Sequence, residues 1–436
     1  MSTSITLDNI RDRGIVGAGG AGFPTHVKLS AEAGTFIVNA AECEPLLHKD
    51  KELLKTYPAE IMEGLKIAME LVGAHEGIIG VKAKYDDVIR SLRPLLPPGV
   101  RIHPLKDFYP AGDEFTLVYE ITGKVIPPGG LPLAVGVIVN NVETLYNISL
   151  EKPVTSKFVT IAGDLENPVT FEVPIGVEIR EVLYAAGIED PDDKTILLGG
   201  AIMGKVAEDL DAPVTKTLAG MIVLPKDHPL AVRYTRPASS SLRIGKSSCD
   251  QCSFCTELCP RYLLGHPIKP HIAMRTLVFN RQEINPHVGS IYCCECNLCS
   301  LYACPEGLDP RTVCVENKNA IFRSGQKPEN PETSFAHPLI NERRAPLSRV
   351  MRKIGLHIFA NRGPLTPYPM PVVKVTIPLS QHIGVPCEPV VTQGSRVLKG
   401  DLIGKIPEGK MGAPVHSSID GMVTKVTSDA VIIERF

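Results

Sequence analysis

Three patterns are absent from this sequence, and each absence excludes a class of protein. The chain has no run of basic residues and a formal net charge of −2, so it lacks the positive surface on which nucleic-acid binding depends. Its longest apolar run, Leu131 to Val139, is far too short to cross a bilayer. The first residues mix Asp8, Arg11 and Asp12 with scattered apolar side chains, which is not the pattern of a signal peptide. We therefore expect a cytoplasmic protein, or one enclosed in a body within the cytoplasm, with no transmembrane segment and no nucleic-acid partner.

Cysteine is scarce outside one region of the chain. Ten of the twelve cysteines lie between Cys249 and Cys314. Such clustering points to metal ligation in a reducing compartment. The 436 residues, 44% apolar and 22% charged, are typical of a soluble globular protein. Their number predicts about three or four domains.

The clustered cysteines form two similar motifs. The first is Cys249-x2-Cys252-x2-Cys255-x3-Cys259-Pro260, and the second is Cys293-x2-Cys296-x2-Cys299-x4-Cys304-Pro305. Three cysteines at two-residue gaps can surround one corner of a 4Fe-4S cube, and in two-cluster ferredoxins the fourth ligand comes from the other motif. The spacing therefore predicts two 4Fe-4S clusters. Their ligands would be Cys249, Cys252, Cys255 and Cys304 for one cluster, and Cys293, Cys296, Cys299 and Cys259 for the other.

The alternatives for these motifs are a zinc ribbon and a disulfide framework. Zinc sites usually show two C-x2-C pairs rather than two triplets, each followed by Cys-Pro, which favours the clusters. Because eight thiolates complete two clusters, Cys294 and Cys314 are expected to be buried bystanders. For the same reason, His266 and His271 are expected to be caps or surface residues rather than ligands.

A glycine-rich stretch, Gly17 to Gly22, lies near the start of the chain. It matches G-x-G-x-x-G, but no full strand precedes it, and Pro24 follows where a helix should be running, so a Rossmann turn is not indicated. Glycines leave the backbone N–H groups uncovered, so a phosphate or a flat ring can approach them closely. The alternative is a plain flexible loop.

Polar residues follow the predicted strands of an α/β domain in three further segments. Alternating strands and helices continue to about residue 150, and in such domains ligands bind at the carboxyl ends of the strands. The alternative for each segment is an ordinary capped turn. The segments are Asn39-Ala-Ala-Glu42-Cys43-Glu44-Pro45, Tyr109-Pro-Ala-Gly-Asp113-Glu114 and Asn140-Asn141-Val-Glu143-Thr144.

With Gly17–Lys28, these segments resemble the FMN- and NADH-binding segments of the flavoprotein subunit of respiratory complex I. They are more closely similar to the RnfC component of the Rnf electron-transport complex. The resemblance implies that residues 1–155 form an α/β domain that binds FMN non-covalently and takes NADH as substrate. It implies FMN contacts at Gly17, Gly19, Lys28, Asn39, Asn140, Asn141 and Thr144. It implies NADH contacts at Phe23, Glu44 and Glu114, and further cofactor contacts at Gly20, Gly22, Glu42 and Asp113.

The sequence departs from the complex I pattern at two positions. Ala18 stands where that flavoprotein has arginine, and Ala41 stands where it has aspartate. The resemblance therefore does not imply an FMN contact at Ala41 or a dinucleotide contact at Ala18. No catalytic acid or base is predicted, since cofactors would carry the electrons.

The rest of the chain predicts four more regions, so that the fold class is multidomain, α/β followed by α+β. Residues 156–236 resemble the soluble-ligand-binding β-grasp domain of the same family, and within them Gly199 to Gly204 is read as a turn, or alternatively as a ligand edge. Residues 237–325 form a double 4Fe-4S, ferredoxin-like helical module, and residues 326–370 a Pro-rich linker or wrapping segment. Residues 371–436 resemble the all-β barrel–sandwich hybrid of lipoyl carriers.

RnfC proteins carry such a barrel–sandwich segment at their amino terminus. Its position after the clusters resembles instead the cobalamin reductases of the propanediol-utilisation microcompartment, over essentially the whole chain. This resemblance implies reduction of cobalamin by NADH for a diol dehydratase, with cobalamin or its adenosyltransferase and microcompartment shell proteins as partners. The alternatives are an NADH:ferredoxin-type oxidoreductase and an electron-relay subunit that binds no NADH. The sequence leaves open the acceptor, the choice between NADH and NADPH, the cluster potentials, the corrin contacts and the oligomeric state.

Overall fold

The computed structural model describes residues 5–277, 288–326 and 334–436. Residues 278–287 of the predicted cluster module and 327–333 of the predicted linker lie outside the described residues, as do residues 1–4.

The first region is built on a four-stranded parallel sheet with the strand order Val100–Leu105, Glu76–Lys82, Thr35–Ala40, Val137–Asn141. The chain adds two strands on one side of Thr35–Ala40 and then crosses to the other side. The α-helices of this region are Leu7–Asp12, Thr25–Leu29, Lys49–Thr56, Pro58–Val72, Asp86–Leu92, Glu114–Thr122 and Val142–Ser149. Short 3-10 turns lie at Arg93–Leu95 and Pro132–Val135, and a short strand at Phe108–Tyr109.

The helix Pro58–Val72 shows why this region folds as it does. Ile61, Leu65 and Met69 recur at helical spacing and are all buried, so one face of the helix packs into the core. Proline at the first helical position and Gly73 at the left-handed C-cap set its ends. A Cβ on Gly64 would lie 2.0 Å from the Leu145 carbonyl oxygen, so the helix Val142–Ser149 can approach only because residue 64 is glycine. This packing fixes the helix that carries Thr144.

The second region contains a six-stranded mixed sheet. Its strands, in spatial order, are Leu365–Thr366, Val169–Pro174, Ser156–Gly163, Gly220–Pro225, Lys194–Leu198 and Lys205–Val206. The strand Ser156–Gly163 is parallel to Gly220–Pro225 and antiparallel to Val169–Pro174. The helices Ile179–Ala185 and Pro229–Thr235 and the 3-10 turn Pro191–Asp193 complete the region. A small α+β unit was predicted here, and its β-grasp name stays a prediction.

The third region is mainly helical. It contains the α-helices Ala238–Ser248, Phe254–Glu257, Pro260–Leu263, Pro270–Arg275 and Pro310–Ser324, the 3-10 turn Val288–Tyr292 and one π-helical turn, Cys299–Ala303. The two cysteine motifs lie in the loops and short helices between them.

Residues 334–370 wrap around the other regions. Ala345–Pro346 pairs with Phe108–Tyr109 of the first region, and Leu365–Thr366 is the edge strand of the six-stranded sheet. The helix Leu347–Lys353 and the 3-10 turn Leu356–Ile358 lie between these strands. Of the two expectations for this segment, a linker or a wrapping segment, these pairings agree with the second.

The C-terminal region consists of two small sheets. One has the order Lys374–Pro378, Ala430–Glu434, Gly421–Val426, Arg396–Val397, and the other the order Glu388–Pro389, Leu402–Lys405, Val415–His416. Alternate residues such as Val375, Ile377, Val431 and Ile433 are buried, as expected of strands that face a shared core. In the described parts of all regions, no helix is both long enough and apolar enough to span a membrane.

Candidate functional site

The predicted FMN segments meet where the strand order of the parallel sheet reverses. Thr35–Ala40 and Val137–Asn141 are neighbours, and Asn39 lies opposite Asn141 in their register. In open α/β sheets the crevice at the carboxyl ends of such strands is the usual ligand site. Asn39 is held there by its side-chain amide, which donates to the Gly112 carbonyl oxygen at 2.8 Å.

Backbone hydrogen bonds join the two ends of the glycine loop, Gly17 to Gly22, and the middle of the loop is uncovered. The Gly17 N–H donates to the Phe23 carbonyl at 2.9 Å, and the Gly22 N–H donates to the Gly17 carbonyl at 3.1 Å. A Cβ on Gly20, whose φ is +114°, would meet nothing within 4 Å. In the part of the chain that the structure describes, the N–H groups of Gly19 and Gly20 have no acceptor. The middle of the loop therefore offers uncovered amides to a ligand.

The loop lies against the segment Asn140 to Thr144. The Ala18 N–H donates to the Thr144 hydroxyl at 3.0 Å, and a Cβ on Gly19 would lie 3.4 Å from the Asn141 Cβ. Asn140 is 5% exposed, and its side-chain nitrogen finds no acceptor in the described structure. An orphaned buried donor is costly unless a bound group satisfies it. With the open loop, this donor fits a polar planar ligand such as FMN.

A cluster of buried charges lies below the loop, and sequence reasoning missed it. The Lys157 ammonium donates to the Ala18 carbonyl at 2.8 Å and also pairs with Glu143. Lys49 pairs with Glu143 at 3.1 Å and with Asp50 at 2.5 Å. Burial works against the charge of Glu143, but Lys157 and Lys49 outweigh it and hold its pKa below the usual value. No local signal distinguishes such lysines from surface ones, because lysine is almost never fully buried.

Two of the predicted residues form an ion pair at the edge of the crevice. The Lys28 ammonium lies 2.9 Å from the Glu114 carboxylate, and both side chains are partly exposed. Phe23 is also partly exposed, at the end of the glycine loop. These residues remain reachable from solvent, and their FMN and NADH contacts stay predictions.

Glu42 caps a helix in this structure. Its carboxylate accepts the N–H of Asp50 at 2.8 Å and of Lys51 at 3.3 Å, at the start of the helix Lys49–Thr56. Its backbone φ of +35° turns the chain away from the strand end. Burial and the nearby Asp50 carboxylate raise the pKa of Glu42 to about 7.

Glu44 connects three regions of the chain. Its carboxylate accepts the N–H groups of Ile202 at 2.8 Å and Met203 at 3.0 Å, from the second glycine stretch. The Tyr109 hydroxyl lies 3.3 Å from it and donates to the Cys296 carbonyl at 2.8 Å. A Cβ on Gly200 would lie 2.5 Å from the Glu44 carboxylate, so the glycine is required by this approach. The carboxylate predicted to face NADH is thus held by the second region, and only Tyr109 of the first region links it to the third.

Asp113 joins the first region to the cysteine module. Arg261 donates to its two carboxylate oxygens at 2.6 and 2.8 Å, and the guanidinium lies 3.8 Å from the centre of the Phe115 ring. Asp113 also accepts the Thr116 N–H at 3.1 Å and so caps the helix Glu114–Thr122. These partners give Asp113 a structural role, and its predicted cofactor contact remains untested.

The eight predicted ligand cysteines surround two separate cavities. One cavity is lined by Cys249, Cys252, Cys255 and Cys304. The other is lined by Cys259, Cys293, Cys296 and Cys299. Each cavity thus takes three cysteines from one motif and one from the other, which is the grouping that the spacing predicts. In the described residues no three Cys, His, Asp or Glu side chains are close enough to hold a single metal ion.

The two motifs share an unusual backbone. Gln251 and Ser253 in the first motif, and Glu295 and Asn297 in the second, have φ between +58° and +66°. These are equivalent positions, two and four residues after the first cysteine of each motif. Left-handed conformations cost energy for such residues and recur at functional sites. The repeated turn lets each loop wrap around its cavity.

Polar hydrogens point at three of the predicted ligand sulfurs. The Gln251 side-chain amide donates to Cys249 Sγ at 3.2 Å, and the Leu308 N–H donates to Cys304 Sγ at 3.3 Å. The Glu295 N–H donates to Cys293 Sγ at 3.4 Å. Hydrogen bonds to thiolates stabilise their charge and are one of the means by which a protein sets a cluster's potential. The donor set therefore fits iron–sulfur clusters.

The structure modifies the expectations for the residues outside the motifs. Cys314 is fully buried, but Cys294 is only partly so, and both line the second cavity rather than lying away from it. His266 was expected to be a cap or a surface residue, and this was wrong. It is 2% exposed and shares a hydrogen bond of 3.0 Å with the Ile126 carbonyl, because the loop after the first motif packs on the first region. His271 pairs with the Thr256 hydroxyl at 2.7 Å.

Three domain families match the sequence. Residues 10–150 match the Nuo51 FMN-binding domain, residues 248–309 a 4Fe-4S dicluster domain, and residues 355–434 the RnfC barrel sandwich hybrid domain. Together with the site geometry, they define a multidomain protein that combines an FMN-binding α/β domain, an iron–sulfur module and a barrel–sandwich domain. The expectations of an FMN domain, an iron–sulfur module and a C-terminal barrel–sandwich fold are confirmed.

Two relatives align along nearly the whole chain. The cobalamin reductase PduS of Citrobacter freundii is 42% identical over 437 residues, which covers 98% of this chain and 96% of that protein. The cobalamin reductase PduS of Salmonella typhimurium is 42% identical over 442 residues, covering 99% and 98%. The chain therefore belongs to the PduS family of cobalamin reductases, as the domain order indicated.

Other proteins resemble parts of the chain. One component of the Na(+)-translocating ferredoxin:NAD(+) oxidoreductase complex of Acetobacterium woodii is 34% identical over 265 residues, covering 58% of this chain and 57% of that protein. Among solved structures, the NAD+-reducing [NiFe]-hydrogenase in its H2-reduced state matches with a TM-score of 0.49 at 22% identity, covering 75% of this chain and 63% of that one.

Proposed function

We propose that this protein is an NADH-dependent cobalamin reductase, in which electrons pass from NADH through FMN and two 4Fe-4S clusters to cobalamin. The observation that carries the proposal is the 42% identity to two cobalamin reductases along essentially the whole chain. FMN accepts two electrons as a hydride and releases them singly, as iron–sulfur clusters require. The FMN-binding domain and the iron–sulfur module needed for this electron transfer are present in one chain.

In this proposal, the flavin lies in the crevice at the carboxyl ends of the strands Thr35–Ala40 and Val137–Asn141, where the strand order reverses. The glycine loop supplies uncovered N–H groups, and the buried side-chain amide of Asn140 supplies a donor that has no other acceptor in the described structure. Asn39 and Asn141 border the same crevice. Phe23 and Glu114, which remain partly exposed, are where NADH would approach, and Lys28, which pairs with Glu114, would contact the FMN. These residues bind and orient the reactants, and positioning of this kind is the protein's main contribution to hydride transfer.

The two cysteine cavities hold the clusters in this proposal, with cross-ligation by Cys259 and Cys304. The contact between the flavin domain and the cysteine module supports transfer between them, because Tyr109 bonds directly to the backbone of Cys296. The second region, with its β-grasp-like sheet, or the adjoining face of the cysteine module, is proposed to contact the corrin. The family membership also supports a place in a bacterial microcompartment, with the adenosyltransferase and shell proteins as partners.

The experiment is an anaerobic assay with defined acceptors. The purified protein should contain FMN and about eight irons per chain, and NADH should bleach both chromophores. With cob(III)alamin and a trap for cob(I)alamin, NADH should drive the formation of trapped product. The step to cob(I)alamin is decisive, since free flavins already reduce cob(III)alamin.

One alternative has an observation in its favour. The 34% identity over 58% of the chain to a component of a complex named for ferredoxin and NAD(+) favours ferredoxin as the redox partner, which NADH would reduce in the reverse direction. Faster turnover with ferredoxin, together with no trapped cobalamin product, would favour this alternative. A purified protein without FMN that does not react with NADH would favour the electron-relay role instead.

A further inference from the structure

Both ends of the glycine loop are held by residues from distant parts of the chain. Just before the loop, the Gly14 carbonyl accepts from the Lys216 ammonium at 2.7 Å. At its far end, the Gly22 carbonyl accepts the N–H of Ile383 at 3.0 Å. Lys216 belongs to the second region and Ile383 to the C-terminal barrel–sandwich region. The loop is therefore completed by two regions outside the FMN-binding domain.

Lys216 is the centre of this junction. Its ammonium also donates to the Pro414 carbonyl at 2.8 Å, and its backbone N–H donates to the Gln381 side-chain oxygen at 3.0 Å. The residue is 3% exposed, and no carboxylate in the described structure is paired with it. Burial lowers its pKa to about 8, because two carbonyl groups replace only part of the lost hydration. An apolar side chain at this position would leave the Gly14 and Pro414 carbonyl groups without the donor that joins them.

The packing around the junction leaves no room for a side chain at Gly14 or Gly22. A Cβ on Gly14, whose φ is +67°, would lie 2.3 Å from the Pro414 carbonyl oxygen and 2.7 Å from the Lys216 ammonium. A Cβ on Gly22, with φ of +66°, would lie 2.9 Å from the Thr217 methyl group. The middle of the loop, at Gly20, has open space instead. A loop fixed at both ends and open between them is organised before its ligand arrives, which lowers the entropic cost of binding.

We propose that Lys216 is a positioning residue for the flavin, which sets the glycine loop by joining it to the C-terminal barrel–sandwich domain. The inference rests on the proposed FMN site at that loop. It gives the C-terminal domain a role in the flavin site, although that domain lies at the opposite end of the sequence.

The test is the variant Lys216→Met, which keeps the length of the side chain and removes its donors. We expect the dissociation constant for FMN, measured by flavin fluorescence, to rise about tenfold or more, which corresponds to the loss of one ordinary hydrogen bond. Amide hydrogen exchange at Gly17, Ala18 and Gly22 should accelerate in the flavin-free protein. Iron content and the electron paramagnetic resonance spectrum of the reduced clusters should not change. The matched control is Lys205→Met, which alters an exposed lysine of the same region.

Two further variants separate positioning from general destabilisation. Gln381→Leu removes the acceptor of the Lys216 N–H and the donor to the Pro378 carbonyl, but leaves the Lys216 ammonium in place, and should give a smaller change in the same direction. Gly14→Ala should disturb the junction from its other side. If Lys216→Met does not fold, Gln381→Leu decides. An unchanged FMN dissociation constant and unchanged exchange in the loop would overturn the inference, as would an equal loss of iron and flavin.

The result is independent of the proposed reductase activity. If the wild type binds FMN and reduces cobalamin, normal FMN binding and unchanged loop exchange in Lys216→Met refute the inference but leave the proposed function standing. A wild-type protein that holds no FMN refutes the proposed function. In that case, hydrogen exchange in Lys216→Met still decides whether Lys216 positions the glycine loop.

Discussion

The contact between Arg261 and Asp113 allows a quantitative prediction about how the flavin domain is joined to the cysteine module. The two side chains are 10% and 14% exposed and share two charge-assisted hydrogen bonds. Removing one partner of such a buried pair leaves an uncompensated charge, at a cost of roughly 3–5 kcal/mol. Arg261→Met should therefore lose about that much stability at this interface. Asp113→Asn should lose less, because asparagine can still accept the Thr116 N–H and one guanidinium hydrogen.

A double-mutant cycle isolates the pair. The double variant should be more stable than the sum of the single changes predicts, with a coupling energy of about 1.5 kcal/mol or more, since the second change removes the charge that the first left unpaired. The measurement is anaerobic denaturation followed by flavin fluorescence. Midpoints of this one transition are compared, because a multidomain protein does not unfold in two states. Additive single-variant effects, within about 0.5 kcal/mol, would refute the reasoning.

The same variants have a functional consequence. Arg261→Met should slow the bleaching of the iron–sulfur absorbance by NADH more than it slows NADH oxidation by an artificial dye, because the dye does not depend on the contact with the cysteine module. Arg344→Met is the matched control. Arg344 and Glu120 are each 10% exposed and form a comparable ion pair, with the guanidinium over Phe108, but this pair binds the wrapping segment 334–370. The Arg344→Met variant should be less stable than the wild type, but the bleaching of its iron–sulfur absorbance by NADH should not be slowed selectively.

Three further predictions follow from the site. Cys259→Ser should damage the cluster of Cys293, Cys296 and Cys299; loss confined to the cluster of Cys249, seen in paramagnetic resonance spectra, would reject the cross-ligation. Gly19→Val should abolish FMN binding without unfolding the chain, because a Cβ there makes only an ordinary 3.4 Å contact with Asn141; full FMN content after denaturation and release would contradict this. Burial raises the pKa of Glu44 to about 7, so its ionisation between the usual value and pH 7 costs stability. Glu44→Gln should therefore gain thermal stability relative to wild type as the pH rises from about 5 to 8, and a constant difference in melting temperature would count against the shift.

The local parts of the architecture were accessible from the sequence. The cysteine spacing is set by the geometry of loops that wrap around a cluster, so residues close in sequence are also close in space. The alternation of strands and helices likewise predicts a parallel sheet and places Asn39 and Asn141 at strand ends. The resemblance to flavoproteins added the glycine loop, whose backbone alone does not distinguish a ligand site from a flexible turn.

The long-range partners were not accessible. Nothing near Glu44 indicates that its carboxylate accepts the amides of Ile202 and Met203. Lys157 and Lys216 resemble ordinary surface lysines until the fold buries them. The strands at Ala345–Pro346 and Leu365–Thr366 were missed because edge pairing uses backbone groups, which every residue has, and leaves little trace in a Pro-rich sequence.

Two contacts at the ends of the glycine loop have a consequence for biosynthesis. Lys216 joins the Gly14 carbonyl to the Pro414 carbonyl, and the Gly22 carbonyl accepts the N–H of Ile383. The glycine loop precedes Ile383 and Pro414 in the sequence, so it leaves the ribosome before these two supports do. Domains generally fold as they emerge, but the contacts of this loop with the barrel–sandwich region cannot form until that region has been synthesised. Flavin loading is therefore expected to follow synthesis of the barrel–sandwich region. A chain cut short before the barrel–sandwich region would lack the contacts of Pro414 and Ile383 with the loop, so we expect it to bind FMN more weakly.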